Sequence, residues 1–307
     1  MTITRADGMT LVELMVAMTL GLLILAAVAR LFASAHAGYA AQIGTAQAGE
    51  SGRFALDVIG VALRQSAYAD PPPGAVPDDI PPHLSGLDAK SLSKAGDGIA
   101  NPLTAAVNGS DVLAVRFAGA GKAPHGDGTM LNCGGFGVAA QQEGWSIFYV
   151  ARATDGSGEL RCKYRSGGGW SADALAEGVD GFQVLYGLDT DEPHDGVPNR
   201  YVNASAIDAL DNALILAGAT EAERRRERNR RSYWKRVVSV QVALLLRGAP
   251  SGSGRTRSYD LFGPGYTAAA GAGDPGVRLA ETELAGSGHY RERHLVASTF
   301  AVRGGAQ

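Results

Sequence analysis

The apolar positions of the chain fall into three regimes. From Met9 to Ala29 the sequence MTLVELMVAMTLGLLILAAVA carries a single charge, Glu13, and no polar face. A helix that is apolar all round has no side to show to water, so this stretch belongs in lipid or among other apolar helices. Twenty-one residues at about 1.5 Å per residue reach roughly 31 Å, the depth of a bilayer core. From Arg30 to Tyr68 there is no proline, and Phe54, Val58, Ile59 and Leu63 recur at helical spacing with Arg53, Asp57 and Arg64 among them. The pattern predicts one long helix from about Thr10 to Ala69, apolar in its first half, amphipathic in its second, and stopped by Pro71, Pro72 and Pro73. Gly38, Gly44, Gly49 and Gly52 are expected to soften its middle.

The third regime is strand-like. Residues 70–110 contain PPPGAVPDDIPP and several glycines, and read as irregular connection. Strands are predicted at Asp111–Phe117, Trp145–Ala151, Glu159–Arg165, Phe182–Leu188, Val237–Arg247 and Leu295–Arg303. Period-two alternation is clear in Phe182, Val184, Tyr186, Leu188 and in Val238, Val240, Val242, Leu244, Leu246. Thr154-Asp155-Gly156-Ser157-Gly158 is a turn that makes a hairpin of the second and third strands. A helix followed by antiparallel strands gives an α+β fold with one antiparallel sheet.

Composition narrows this picture. With 307 residues, 45% hydrophobic and 19% charged, the chain can bury a core in one or two domains and is not disordered. A net charge of −3 supplies no global basic field for nucleic acid or an anionic membrane surface. Glycine, at 42 residues, is about twice its usual ~7% share and implies long loops. Two cysteines exclude a disulfide-dense scaffold and a four-thiolate zinc site.

The N-terminus decides location. Arg5 and the amino terminus precede the apolar span, which leaves the start in the cytoplasm and sends everything after Ala29 across the membrane. An ordinary secretory signal is the alternative, with A-x-A at Ala27–Ala29 and Ala33–Ala35. Against it, the uncharged stretch Leu14–Ala29 is 16 residues, at or beyond the ~7–15 of a signal peptide, and a secretory signal has no use for Glu13. A plain single-pass anchor also leaves that carboxylate without a purpose, because intramembrane acids usually have a partner.

Gly8-Met9-Thr10-Leu11-Val12-Glu13-Leu14 resembles the prepilin signal: a short polar leader ending in glycine, a methylatable residue, and a glutamate just inside an apolar helix. The resemblance implies cleavage by a prepilin peptidase between Gly8 and Met9, N-methylation of Met9, and pairing of Glu13 with the terminal amine of a neighbouring subunit during filament assembly. A lone carboxylate in hydrocarbon gains most from an adjacent ammonium, so the chemistry agrees. The implied division is a leader at 1–8, a transmembrane or filament-core helix at 9–29, its amphipathic continuation at 30–69, and a β-rich pilin head at 70–307.

The resemblance extends further. GESGRFALDVIGVALRQSAY in the helix, then EGVDGFQVLYGLDTD (Glu177–Asp191), SYWKRVVSVQVALLLR (Ser232–Arg247) and RERHLVASTFAVRG (Arg291–Gly304) are similar to PilW-type minor pilins of type IV pili. J-type minor pseudopilins of type II secretion share the layout and are the near rival. The family implies a long helix packed on an antiparallel head, a non-enzymatic role in priming pilus polymerisation, and no cofactor or small-molecule substrate. The implied partners are prepilin peptidase, other minor pilins, the major pilin, the assembly platform, a tip adhesin and the inner membrane. The chain would sit in that membrane with its head periplasmic before assembly, and at the tip or base of the pilus afterwards.

Four constellations remain. Cys133 and Cys162 would lie in an oxidising compartment, where a disulfide is expected and two buried thiols are the alternative. Asp189, Asp191, Asp195 and Gly196 have the composition of a calcium loop, but Pro193 and His194 occupy positions where an EF-hand needs Asp or Asn and then glycine. A solvated acidic turn without metal is expected. Arg224, Arg225, Arg226, Arg228, Arg230 and Arg231, beside Tyr233 and Trp234, are interleaved with Glu221, Glu223 and Glu227. This reads as a solvated helix with pairs such as Glu221–Arg225 and Glu227–Arg231, the alternative being a DNA-uptake pilin binding through Arg224–Arg231. Enzyme signatures are accidental: three G-x-G-x-x-G/A matches starting at Gly135, Gly263 and Gly271 open no βαβ unit, and there is no HExxH or GxSxG.

Overall fold

The computed structural model describes residues 10–66, 79–250, 257–284 and 290–302. The first element, α1, is one unbroken helix, Leu11–Gln65. Thr10 starts it, accepting from the Glu13 backbone N–H while the Glu13 carboxylate accepts from Thr10 N and Oγ1, a reciprocal capping box. The helix ends at Gln65 with Ser66 as its C-cap, four residues short of the expected Ala69; Pro71–Pro73 lie outside the described residues.

The head contains two main antiparallel sheets where one was expected. The first has five strands in sequence order: β1 (Leu84–Leu87), β2 (Val112–Ala118), β3 (Glu143–Arg152), β4 (Gly158–Ser166) and β5 (Gly169–Glu177). The second has four, β6 (Val179–Leu188), β7 (Arg200–Val202), β8 (Val237–Pro250) and β11 (Arg291–Ala301), in the order β11-β8-β6-β7. Strand β1 falls inside the stretch read as irregular connection, and β5 was not foreseen. The sheets are joined at Gly178, whose φ of 68° turns the chain from β5 into β6 and whose carbonyl accepts from Arg247 N at 2.7 Å. The β3–β4 hairpin closes on Ala153–Ser157, with Asp155 Oδ1 accepting from Ser157 N and Oγ.

Between β7 and β8 come α2 (Ala204–Asn212) and α3 (Glu221–Arg231); between β8 and β11 an excursion carries β9 (Ser258–Asp260), α4 (Gly263–Ala270), β10 (Arg278–Ala280) and α5 (Glu281–Leu284). One continuous core unites the second half of α1 with both sheets. Ala55, Leu56, Ile59 and Leu63 meet Phe182, Val184, Tyr186 and Val240, Val242, Leu244, Leu246, with Phe148, Val150 and Leu160 behind. The predicted alternation holds with one shift: Val237 is buried rather than Val238, because the β6–β8 register slips between Gly187 and Leu188.

Two polar features fix the layers. Asp111 is buried between the sheets, its carboxylate accepting from Ala89 N at 3.0 Å and Val184 N at 2.9 Å. Burial, reinforced by Asp88, holds its carboxyl well above the usual range. On the far side of the second sheet, Asp180 accepts from Arg247 at 2.6 Å and Arg293 at 2.7 Å, and Arg293 also donates to Glu281. Asp180, Arg293 and Glu281 are all inaccessible to solvent, so the network ties β6, β8 and β11 to the excursion.

Candidate functional site

Every feature of the N-terminal half of α1 points outward. Among the described residues, Leu11–His36 is the stretch long and apolar enough to cross a membrane, and none of it is buried against the rest of the chain. Leu11, Leu23, Leu25, Leu31 and Phe32 are each at least 66% exposed. An isolated molecule in water cannot keep such a rod uncovered, at about 1.5–3 kcal/mol for each large side chain left in water. Lipid or other helices must surround it. Glu13 sits at its start, holding Thr10 through Oε2; Oε1 has no hydrogen-bond partner among the described residues. Gly8 and Met9 lie outside the described residues.

The second half of α1 is the opposite. Gly44, Gly49, Gly52 and Gly60 lie against β8 and β11, where they set the spacing of helix and sheet. A Cβ on Gly52 would stand 2.7 Å from Val296 Cγ2 and 2.8 Å from Leu246 Cδ1; one on Gly60 would stand 2.6 Å from Phe300 Cε1. Gly44, Gly49 and Gly52 therefore do not soften the helix as the sequence suggested; they let it approach the sheet, and the helix runs through them unbroken. The face turned away from the head keeps Phe54 and Val61, 55% and 46% exposed, so the surface offered to neighbours continues alongside the head.

The remaining candidates resolve into structural roles. Cys133 and Cys162 form a disulfide that pins the long β2–β3 loop onto β4. Asp189, Asp191 and Asp195 converge, with one carboxylate oxygen of each within 4.8 Å of the others. Their oxygens are occupied by their own loop: Asp189 accepts from Asp191 N and Gly196 N, Asp195 from Val197 N, and Asp191 from Asn199 Nδ2. Burial opposes ionisation of Asp189, but the backbone donors and His194 hold its carboxyl below the usual range. The arginine run is α3, capped by Thr220 and Glu223 and with no buried residue. Glu227 pairs with Arg231 at 3.6 Å and Arg230 with Asp79 at 2.5 Å; the expected Glu221–Arg225 pair does not form among the described residues. The matches at Gly263 and Gly271 fall in α4 and the turn after it, and that at Gly135 in the β2–β3 loop.

The sequence reading missed the buried Arg293–Asp180–Glu281 network, whose members are far apart in the chain, and the buried Lys163. The Lys163 amine donates to Ser93 O at 3.1 Å and Gly98 O at 2.8 Å, holding the 88–106 loop over the outer face of the first sheet. The one available signal was a charged residue at an inward position of a strand.

Two family models match the chain. The prokaryotic N-terminal methylation motif covers residues 3–29, and the type IV pilus-assembly protein W model covers residues 147–304, just over half of the chain. No curated protein matches it. Among solved structures it is similar to a type IV-like pilin from Thermus thermophilus, at 14% identity and a TM-score of 0.38, over 84% of this chain and 97% of that one. The methylation-motif match takes in most of the uncovered rod, and the assembly-protein match covers the strands on which α1 packs. The chain belongs to the PilW family and is a type IV pilus minor pilin.

Proposed function

We propose that this minor pilin is made as an inner-membrane precursor, cut by prepilin peptidase between Gly8 and Met9 and N-methylated at Met9. It then joins other minor pilins to prime polymerisation of the major pilin on the assembly platform. Its N-terminus is cytoplasmic and its head periplasmic before assembly; afterwards it lies at the tip or base of the pilus, where a tip adhesin is a further partner. The work is assembly rather than catalysis. The leader at 1–8, the core helix at 9–29, its continuation at 30–69 and the head at 70–307 are the units of this reading.

The observation that carries it is the continuity of α1. An uncovered apolar rod and a segment locked into the head are one helix with no break between them. Such a chain offers neighbours a rigid rod and fixes the head at a set offset from it. Glu13 fits the same role. Its Oε2 is engaged with Thr10 while Oε1 accepts nothing among the described residues, so a neighbour's terminal amine can be paired without dismantling the helix start.

Cells lacking this chain should carry few filaments, restored by the wild-type copy, and the mature protein should begin at N-methylated Met9. Unchanged piliation in the deletion strain contradicts priming. A mature N-terminus at Arg30 or His36 contradicts the prepilin route.

A second reading attaches to α3, because Arg225 and Arg228 are exposed and form no ion pair among the described residues. If α3 binds DNA, the affinity should fall steeply with salt and be lost on replacing these arginines by glutamine.

A further inference from the structure

Among the described residues, the second sheet ends on an open edge. Strand β11 is its outermost member for 11 residues, whereas the opposite edge, β7, has three. Natural edges are commonly blunted by lysine, proline or a bulge, which prevent unwanted pairing. Here the register with β8 runs without a bulge from Arg293 to Ala301, and Leu295–Ala301 contains neither charge nor proline.

The direction of each backbone group follows from the ladder. Val302 N donates to Val238 O at 2.8 Å, and the register pairs Ala301 with Ser239 and Phe300 with Val240. Antiparallel partners alternate between hydrogen-bonded and non-bonded pairs. The even residues Val296, Ser298 and Phe300 therefore bond to β8, and the odd residues Leu295, Ala297, Thr299 and Ala301 turn their N–H and C=O groups to the open edge. The same odd residues carry the exposed side chains, while Val296 and Phe300 pack with the core.

A groove lies beside this edge. It encloses about 580 Å³ between α1 and β11 and is lined by Gln42, Ala46, Gly49, Glu50, Arg53 and His294. Helix and strand run in the same direction, since Gly49 meets His294, Gly52 meets Val296 and Gly60 meets Phe300. A strand added to the edge would place alternate side chains on the α1 side, where this groove can receive them. Backbone pairing combined with pockets for alternate side chains is how sheets recognise extended segments.

We propose that the outer edge of β11 takes up an extended, uncharged strand from the head of a neighbouring filament subunit, whose groove-facing side chain meets Glu50, Arg53 and His294. The choice of occupant rests on three observations. The open donors and acceptors suit a strand; the exposed Leu295, Ala297, Thr299 and Ala301 suit an uncharged one; and the edge runs beside the second half of α1, whose outward face keeps the apolar Phe54 and Val61 exposed for a neighbour to cover. The inference rests on the chain being a filament subunit.

The test is residue-resolved amide exchange on the full chain, isolated in detergent and in sheared filaments. In the isolated chain Val296, Ser298 and Phe300 should exchange slowly and Ala297, Thr299 and Ala301 fast. In filaments the three fast amides should slow by about tenfold or more. Unchanged exchange in filaments that contain the chain overturns the edge alone. Odd amides already protected in the isolated chain also overturn it, because the edge is then covered by the chain itself or a second copy. Absence of the chain from the filament fraction removes the filament reading and this inference with it. Ala297→Pro supplies a second readout, since it deletes an outward donor and leaves the β8 ladder intact. It should fold with an unchanged unfolding midpoint and enter filaments several-fold less; incorporation at the wild-type level overturns the proposal. Should the variant fail to fold, the exchange comparison still decides.

Discussion

The two halves of α1 share one helix and have opposite surroundings. Leu11–His36 is exposed throughout and packs against nothing else among the described residues; Ala48–Arg64 buries a face carrying Leu56, Ile59 and Leu63 beside glycine and alanine and keeps Arg53, Asp57 and Arg64 for solvent. Helix propensity does not distinguish them, since both are helical throughout. The difference lies in where the burial comes from. The second half draws its stability from its own head, whereas the first half must draw it from lipid and then from other subunits, so assembly energy and folding energy are held in separate parts of one element.

Substitutions that loosen the head should break this division most. Arg293→Ala leaves Asp180 and Glu281 buried without their shared partner and should cost about 3–5 kcal/mol of head stability, read by denaturant unfolding. Ile59→Ala, in the core face of α1 with no exposed surface, should cost about 2–5 kcal/mol in the same measurement. Replacing Cys133 and Cys162 together by serine should lower stability by about 3 kcal/mol on the chain-entropy model.

A smaller effect concerns pH. Burial raises the Asp111 carboxyl well above its unfolded value of 3.8, so the folded state favours the protonated form. That contribution is full below the unfolded value and is lost as pH rises toward the folded one, by at most about 1.4 kcal/mol per pH unit. Asp111→Asn should therefore gain on the wild type as pH rises through this window, and unfolding curves from pH 4 upward should show the two diverging. The smallest effect belongs to the other half: Leu22→Ala should leave the unfolding midpoint of the head unchanged, because Leu22 is exposed and packs on no described part of it.

How much of this was legible in the sequence follows from how local each signal is. The apolar span and the amphipathic stripe at Ile59 and Leu63 are contained within a few turns, and were readable as such. So were β6 and β8, whose alternation marks the face that meets α1; the excursion covers the other face, at Ala243 and Leu245, so that β6 is buried throughout. The split into two sheets was not legible, because it turns on one glycine, Gly178, among 42. Strand β5, GWSADALAE, is an edge strand of small residues and carries little apolar alternation. Glycines 44, 49 and 52 looked like flexibility because the sheet they approach is contributed some 200 residues later in the chain. The Asp180–Arg293 pair joins positions 113 residues apart, and nothing in either neighbourhood announces it.

The claim that the first half of α1 is an assembly surface, rather than a tether, is tested most directly by Glu13→Leu as the sole copy of the protein in the cell. A tether should tolerate or welcome the change, since a carboxylate in lipid costs up to about 3 kcal/mol. A subunit loses the counter-charge for its neighbour's terminal amine and leaves that amine unpaired in an apolar layer. The account predicts a protein still processed at Gly8 and still membrane-resident, with filament numbers well below those of wild-type cells. Normal piliation would contradict it.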